Sequence, residues 1–239
     1  VSDLKSEFDA KGYVVIKQMF DAAELARMKA EIQRLLEQHS ANGGVFVGLA
    51  ANSDVFKEIA ADSRIVNPLA AIIGPDIEFL SDKVVFKSKR VDYASPWHQD
   101  WPYWEGAHKL SVWVALDPAT PENGCLKILP GSHKQSLTHD GAEPGTTLFG
   151  LRVDQSTVDE SQADILPCEP GDAVIFHDLT LHASCPNVTG ADRWALISTY
   201  RSASEPDLEY SWAVARAIVC GHGPKSESVP AREQSAGCA

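Results

Sequence analysis

Residues 77–87 read IEFLSDKVVFK, and with this stretch the character of the chain changes. Short runs rich in Val, Ile, Leu and aromatic residues follow it at 110–116, 126–129, 164–166, 173–176 and 194–200. Turn residues punctuate them: Asn123-Gly124, Pro130-Gly131 and Pro170-Gly171-Asp172. Glycine and asparagine accept the backbone angles of tight turns, and proline interrupts a ladder, so each cluster closes one strand and opens the next. Short strands with regular punctuation predict a mainly β domain, a sandwich or jelly roll.

Upstream of Ile77 the pattern is helical with one short strand, predicted over Tyr13–Ile16 after Gly12. Asp21-Ala-Ala-Glu24 has the form of a capping box, in which the first side chain and the fourth satisfy each other's backbone amides. The helix it opens carries Leu25, Met28, Ile32, Leu35 and Leu36 at three- and four-residue spacing and is expected to end near His39. A second helical stretch is expected over 54–73, interrupted at Asn67-Pro68 and stopped by Gly74-Pro75. The loops 45–52 and 137–150 are candidate lids, and the tail from Gly221 is expected to be poorly ordered.

The chain has 239 residues, with 44 % hydrophobic and 23 % charged, and this suits one domain with a sizeable core. The expected division is a mainly helical part over 1–75, a β core over 76–205 and a C-terminal segment over 206–239. A formal charge of -12 argues against nucleic acid, because phosphate binding needs a basic face. The five cysteines form no C-x-x-C pair and are odd in number, so neither a disulfide framework nor a zinc knuckle is expected. With no long apolar run and no signal-like start, the expectation is a cytoplasmic protein that acts on a small molecule and has no membrane partner. Nothing in the sequence bears on oligomeric state.

Pro96-Trp97-His98-Gln99-Asp100-Trp101 is the sharpest local feature. In extended backbone, residues i and i+2 share a face, so His98 and Asp100 can reach one metal ion while Gln99 turns away. Two imidazoles and one carboxylate on one face of an octahedron leave three positions open, the arrangement of oxygen-activating non-haem iron. Among the eight histidines, His182 and His177 compete for the third ligand position. Tyr93, Trp97, Trp101, Tyr103 and Trp104 cluster around the motif, and such rings suit either an apolar substrate pocket or plain packing.

The stretch from Phe79 to Arg201 resembles the phytanoyl-CoA dioxygenase family of Fe(II)/2-oxoglutarate oxygenases. The resemblance is carried, in order, by Trp97-His98-Gln99-Asp100, by 110–116 with Trp113, and by Asn123-Gly124-Cys125-Leu126. It continues through Leu129-Pro130-Gly131-Ser132-His133, Pro170-Gly171-Asp172, Phe176-His177, Leu181-His182-Ala183-Ser184 and Arg193. It implies a double-stranded β-helix core, jelly-roll or cupin-like, with flanking helices. It implies Fe(II) held by His98, Asp100 and His182, with 2-oxoglutarate as co-substrate and O2 as oxidant. Arg193 is expected to receive the far carboxylate of 2-oxoglutarate, a task suited to its planar fork. Ser184, Trp113 and, more loosely, Lys83 match further co-substrate positions. Taken alone, Arg193 also reads as a charge at a strand start, Trp113 as core and Lys83 as a solvated strand residue. Trp97, Trp101, Tyr103 and Trp104 are expected near the substrate. Related halogenases replace the carboxylate ligand by a small residue, so Asp100 points to hydroxylation of a C–H bond. Two alternatives remain on the same barrel: a cupin-type metal-dependent isomerase or hydrolase without 2-oxoglutarate, and a non-catalytic binding module.

Overall fold

The structure is a computed structural model that describes residues 2–39, 44–89, 92, 94–141 and 151–223. Helix α1 (Ser2–Lys11) leads into strand β1 (Tyr13–Ile16), and α2 (Ala22–His39) follows. The capping box at the start of α2 is formed: Asp21 Oδ1 accepts from Glu24 N, and Glu24 Oε2 accepts from Asp21 N, both at 2.9 Å. Strand β2 (Val45–Val47), the single turn α3 (Leu49–Asn52) and helices α4 (Asp54–Ala60) and α5 (Ser63–Ile73) come next.

The break between the last two helices falls at residues 61–62, not at Asn67-Pro68. Asp62 caps α5 by accepting from Arg64 N at 2.9 Å, so a new helix starts there. Pro68 lies inside that helix, where it removes one intrahelical hydrogen bond without ending the run.

The remaining strands are β3 (Ile77–Lys87), β4 (Ser95–His98), β5 (Lys109–Ala115), β6 (Leu126–Ile128) and the short pair β7 (Asp140–Gly141) and β8 (Leu151–Arg152). After them come β9 (Asp164–Leu166), β10 (Ala173–His177), β11 (His182–Ser184), β12 (Arg193–Ser202) and β13 (Ala217–Cys220). They form a large antiparallel sheet in the order β1-β10-β5-β12-β3-β13, with β2 also on β3, and a smaller one in the order β4-β11-β6-β9. Strand β13 belongs to the segment set apart from the core at residue 206, yet it joins the core sheet through Ala217 opposite Phe79. Residues 142–150 of the expected loop, and the tail beyond Gly223, lie outside the described residues.

Period-two alternation sorts the large sheet into two faces. Leu110, Val112 and Val114 of β5, Ala173 and Ile175 of β10, and Leu196 and Tyr200 of β12 pack outward against Phe8, Met28, Ile32, Leu35, Phe56, Ile65 and Leu69 of the helices. The opposite set, including Trp113, Val174, Phe176 and Ala195, turns inward to Leu126 and Ile128 of the small sheet. The functional cavity opens in this inner layer. No helix among the described residues is long and apolar enough to cross a membrane.

Candidate active site

His98 ends β4 and His182 begins β11, and the two are paired across the small sheet. Their rings lie 4.2 Å apart between centroids. Each imidazole is oriented in the same way, by a contact between its Nδ1 and a carbonyl two residues earlier in the chain. These are Pro96 O at 2.8 Å for His98 and Thr180 O at 2.9 Å for His182. A proton held on Nδ1 directs the other nitrogen to a metal. His98 Nε2 lies 3.7 Å from Asp100 Oδ1, and His182 Nε2 lies 4.0 Å from it. All three ligand atoms fall within 4.8 Å of one another. Burial pushes the His98 imidazole down to about 3, and the neighbouring His182 adds to the shift, so His98 is neutral at pH 7. Asp100 is held from two sides: its N–H donates to Asp178 O at 2.8 Å, and Ser111 Oγ donates to its Oδ2 at 3.4 Å.

His177 stands in a different cluster. Its Nδ1 lies 3.0 Å from Asp178 Oδ1, which also takes His108 Nδ1 at 2.9 Å. The other oxygen of Asp178 accepts from Lys109 N at 2.8 Å and Trp104 Nε1 at 3.1 Å. Burial alone would raise the Asp178 carboxyl, but hydrogen bonds from His108 and His177 outweigh it and hold it at about 2. The structure therefore brings His182, and not His177, to His98 and Asp100. Sequence reasoning missed the Asp178 hub, which carries no motif of its own.

A cavity of about 490 Å3 extends from the His-Asp-His cluster. Trp113, Ser184, Lys83 and Arg193 all line it. Arg193 is buried, at 2 % exposure. Its Nη2 donates to Gly124 O at 2.9 Å, and its guanidinium carbon sits 5.7 Å from the Trp113 ring centre. Lys87, directly across the ladder from Arg193, also lines the cavity and donates from Nζ to Cys185 O at 2.9 Å. Burial pushes the Lys87 ammonium down to about 8, and the Arg193 charge contributes. Gly124 gives this end its room: at φ +106°, a Cβ there would come within 2.5 Å of Lys87 Cδ. Ser184 Oγ accepts from Ser95 N at 3.1 Å, which ties β11 to β4 beside the histidines.

The four aromatic residues expected near the substrate divide evenly. Tyr103 and Trp104 line the cavity, and the Tyr103 ring meets His98 edge-on at 6.3 Å. Trp97 does not line it: its indole lies on the Gln99 face of β4, donates to Glu160 Oε1 at 2.9 Å and packs with Val153, Leu181 and Ala183. Trp101 starts a 3-10 turn, donates from Nε1 to Gly106 O at 3.3 Å and stays outside. Tyr93 lies outside the described residues. Trp212, from the C-terminal segment, lines the mouth and packs on Trp104 at 5.3 Å, with the rings 33° from parallel. An aromatic pair, Tyr210 and Trp212, in a polar stretch was its only sequence signal.

The sequence model of the phytanoyl-CoA dioxygenase (PhyH) family matches residues 8–195, which hold every candidate ligand described above. The chain belongs to this family. As a PhyH member it is a non-haem Fe(II)- and 2-oxoglutarate-dependent dioxygenase with a jelly-roll core. It is 30 % identical over 139 residues to a methylphosphonate hydroxylase of Gimesia maris, a match covering 54 % of the chain and 50 % of that protein. It is 27 % identical to an ectoine dioxygenase of Sphingopyxis alaskensis, over 94 % of the chain and 87 % of the relative. Among solved structures it resembles EvdO2 of Micromonospora carbonacea var. aurantiaca in complex with 2-oxoglutarate. There the TM-score is 0.69 at 25 % identity, and 88 % of this chain and 93 % of that one are covered. The donor set of this PhyH protein fits the group the family implies: two imidazole nitrogens and one carboxylate oxygen suit Fe(II), and two buried cations suit the far end of a dicarboxylate.

Proposed function

We propose that this enzyme hydroxylates an unactivated C–H bond of a small molecule, with Fe(II) held by His98, Asp100 and His182 and 2-oxoglutarate held by Arg193, Ser184 and Trp113. The observation that carries the reading is the convergence of three ligand atoms within 4.8 Å at a cavity that Arg193 also lines. When bound, iron and 2-oxoglutarate supply the oxidising power, with decarboxylation to succinate and CO2 leaving one oxygen atom of O2 for the substrate. The protein's part is binding and orientation. His98 and His182 keep Nε2 on the cavity side through their backbone-held Nδ1 atoms. Asp100, retained where halogenases carry a small residue, supplies the carboxylate. Arg193 receives the far carboxylate through its fork while stacking on Trp113, and Ser184 supplies a hydroxyl beside it. Relatives named for methylphosphonate and L-proline hydroxylation support the reaction type. The free thiols of Cys125, Cys168, Cys185 and Cys220 support a reducing, cytoplasmic setting.

The test is anaerobic titration of the Fe(II)-loaded protein with 2-oxoglutarate, following the weak visible charge-transfer band of the chelate. A saturable band is expected. Arg193→Ala should raise the half-saturating concentration by about a hundredfold, the scale of a lost buried charge-assisted pair. Iron binding with no band would sink the reading and favour an isomerase or hydrolase on this barrel.

A further inference from the structure

The cavity floor is a grid read directly from strand register. One row runs Ser111, Thr199, Ser81 across β5, β12 and β3, and the next runs Trp113, Ile197, Lys83. Ser111 stands beneath the metal cluster, since its hydroxyl donates to Asp100. Adjacent strands are about 4.8 Å apart, so Ser81 and Lys83 lie roughly 10 Å to the side of Ser111 and Trp113. The Trp113 side is the lane between metal and Arg193, where the co-substrate belongs. A five-carbon diacid spans only about 5 Å between its carboxyl carbons, four bonds of about 1.5 Å in zigzag. Chelated at the histidines and held at Arg193 beside Lys87, it leaves the Ser81–Lys83 stretch of the β3 lane to another molecule.

That lane contains a buried hydroxyl with no hydrogen-bond partner among the described residues. Ser81 is 4 % exposed, lines the cavity, and its Oγ has no hydrogen-bond partner among the described residues. A buried hydroxyl left unpaired costs about 1–3 kcal/mol and calls for an explanation. Lys83, two residues on and on the same face, is half-buried in the same cavity. Among the described residues no carboxylate forms an ion pair with it, whereas buried Lys109 is matched by Asp207 at 3.1 Å. Asp82, between Ser81 and Lys83, turns its carboxylate to Ala50 N at 3.0 Å and caps α3 instead. Around this polar pair the walls are apolar: Val45 and Val47 on β2, Val85 beside them, and Trp212 at the mouth.

Resting on the oxygenase reading above, we propose that the primary substrate is a small organic acid, an oxyanion on an apolar body. Its anionic group is received by Lys83 Nζ and the Ser81 hydroxyl beside Val47, and its apolar part extends from there along the cavity past Trp212 and Trp104. Lys83 then serves the substrate, not the co-substrate position that family resemblance suggests. The anion is fixed in the β3 lane, so the carbon presented to the metal belongs to the body of the molecule and not to the atom bearing the acid.

The experiment uses the full chain loaded with redox-inert Ni(II) and saturated with 2-oxoglutarate. Binding of 3-phenylpropanoate, 4-phenylbutanoate and their primary amides is measured by calorimetry. At least one acid should bind about tenfold more tightly than its amide, the scale of one charge-assisted hydrogen bond. Lys83→Met should erase that preference while leaving the affinity for the amide and for 2-oxoglutarate within about twofold. Ser81→Ala, a smaller change that keeps the fold if Lys83→Met does not, should weaken acid binding by about threefold. Equal binding of acids and amides by the unmodified protein would overturn the proposal. So would a Lys83→Met variant that loses 2-oxoglutarate affinity tenfold, because the lysine would then belong to the co-substrate. Failure of the unmodified protein to bind 2-oxoglutarate at all would overturn the oxygenase reading and this inference with it.

Discussion

The described residues hold two clusters of identical composition, each with two histidines and one aspartate whose ligand atoms lie within 4.8 Å. Their wiring differs. In His98, Asp100 and His182 the backbone takes the Nδ1 atoms, so both Nε2 atoms approach one carboxylate oxygen from 3.7 and 4.0 Å, too far for hydrogen bonds and spaced for an ion between them. In His108, His177 and Asp178 the Nδ1 atoms meet the carboxylate directly at 2.9 and 3.0 Å, and its second oxygen is taken by Lys109 N and Trp104 Nε1. The first cluster is arranged to be completed from outside, and the second is complete in itself. Residue types alone do not separate the two; the atoms that hold the ring nitrogens do.

Substitutions can break or sharpen this contrast. The largest effect is expected at the metal: Asp100→Ala should lower turnover by about three orders of magnitude, since the facial set loses its only charged ligand. Iron content after reconstitution should fall in Asp100→Ala and His182→Ala and stay at the normal stoichiometry in His108→Ala. Loss of iron in His108→Ala would erase the distinction. Next comes stability. Asp178→Ala should cost about 3 kcal/mol in urea unfolding, because it strands a buried backbone amide and an indole N–H. A cost below that of an ordinary surface change would mean that the hub does not hold the fold.

The smallest expected effect concerns pH at the inner end of the cavity. Burial and the Arg193 charge lower the Lys87 ammonium to about 8, so it is charged at pH 7 and loses its proton as pH rises through that value. With Ni(II) in the metal site, affinity for 2-oxoglutarate should therefore fall by about fivefold between pH 7 and 9.5, and Lys87→Met should flatten the profile. A flat profile in the unmodified protein would place Lys87 outside the co-substrate site.

Long apolar strands such as β3, β5, β10 and β12 were legible because Val, Ile and aromatic side chains packed on two faces leave a continuous signal. Strands β4 and β11, which carry His98 and His182, were not. They are 4 and 3 residues long, begin with polar residues, and are defined by cross-strand pairing, β4 with β11 and β11 also with β6. Only the H-x-D spacing and the family resemblance marked them. The alternation that put His98 and Asp100 on one face also put Trp97 with Gln99 on the other, so its absence from the cavity follows from the same rule. Trp101 escapes that rule because the strand has already turned. Lys87 and Trp212 were beyond reach for another reason. One becomes relevant only through its register with Arg193, and the other through the docking of residues 205–216 on the barrel.

Asp178 carries one further consequence. Its carbonyl oxygen holds Asp100 N and Trp101 N, while its carboxylate holds the Trp104 indole at the cavity mouth. The proposed metal ligand Asp100 and the Trp104 wall of the cavity thus hang from one buried residue. A molecule that settles against Trp104 leans on the same peg from which Asp100 is suspended. Any free energy by which its arrival tightens the metal site must, by reciprocity, be returned as tighter hold on that molecule when the metal is in place.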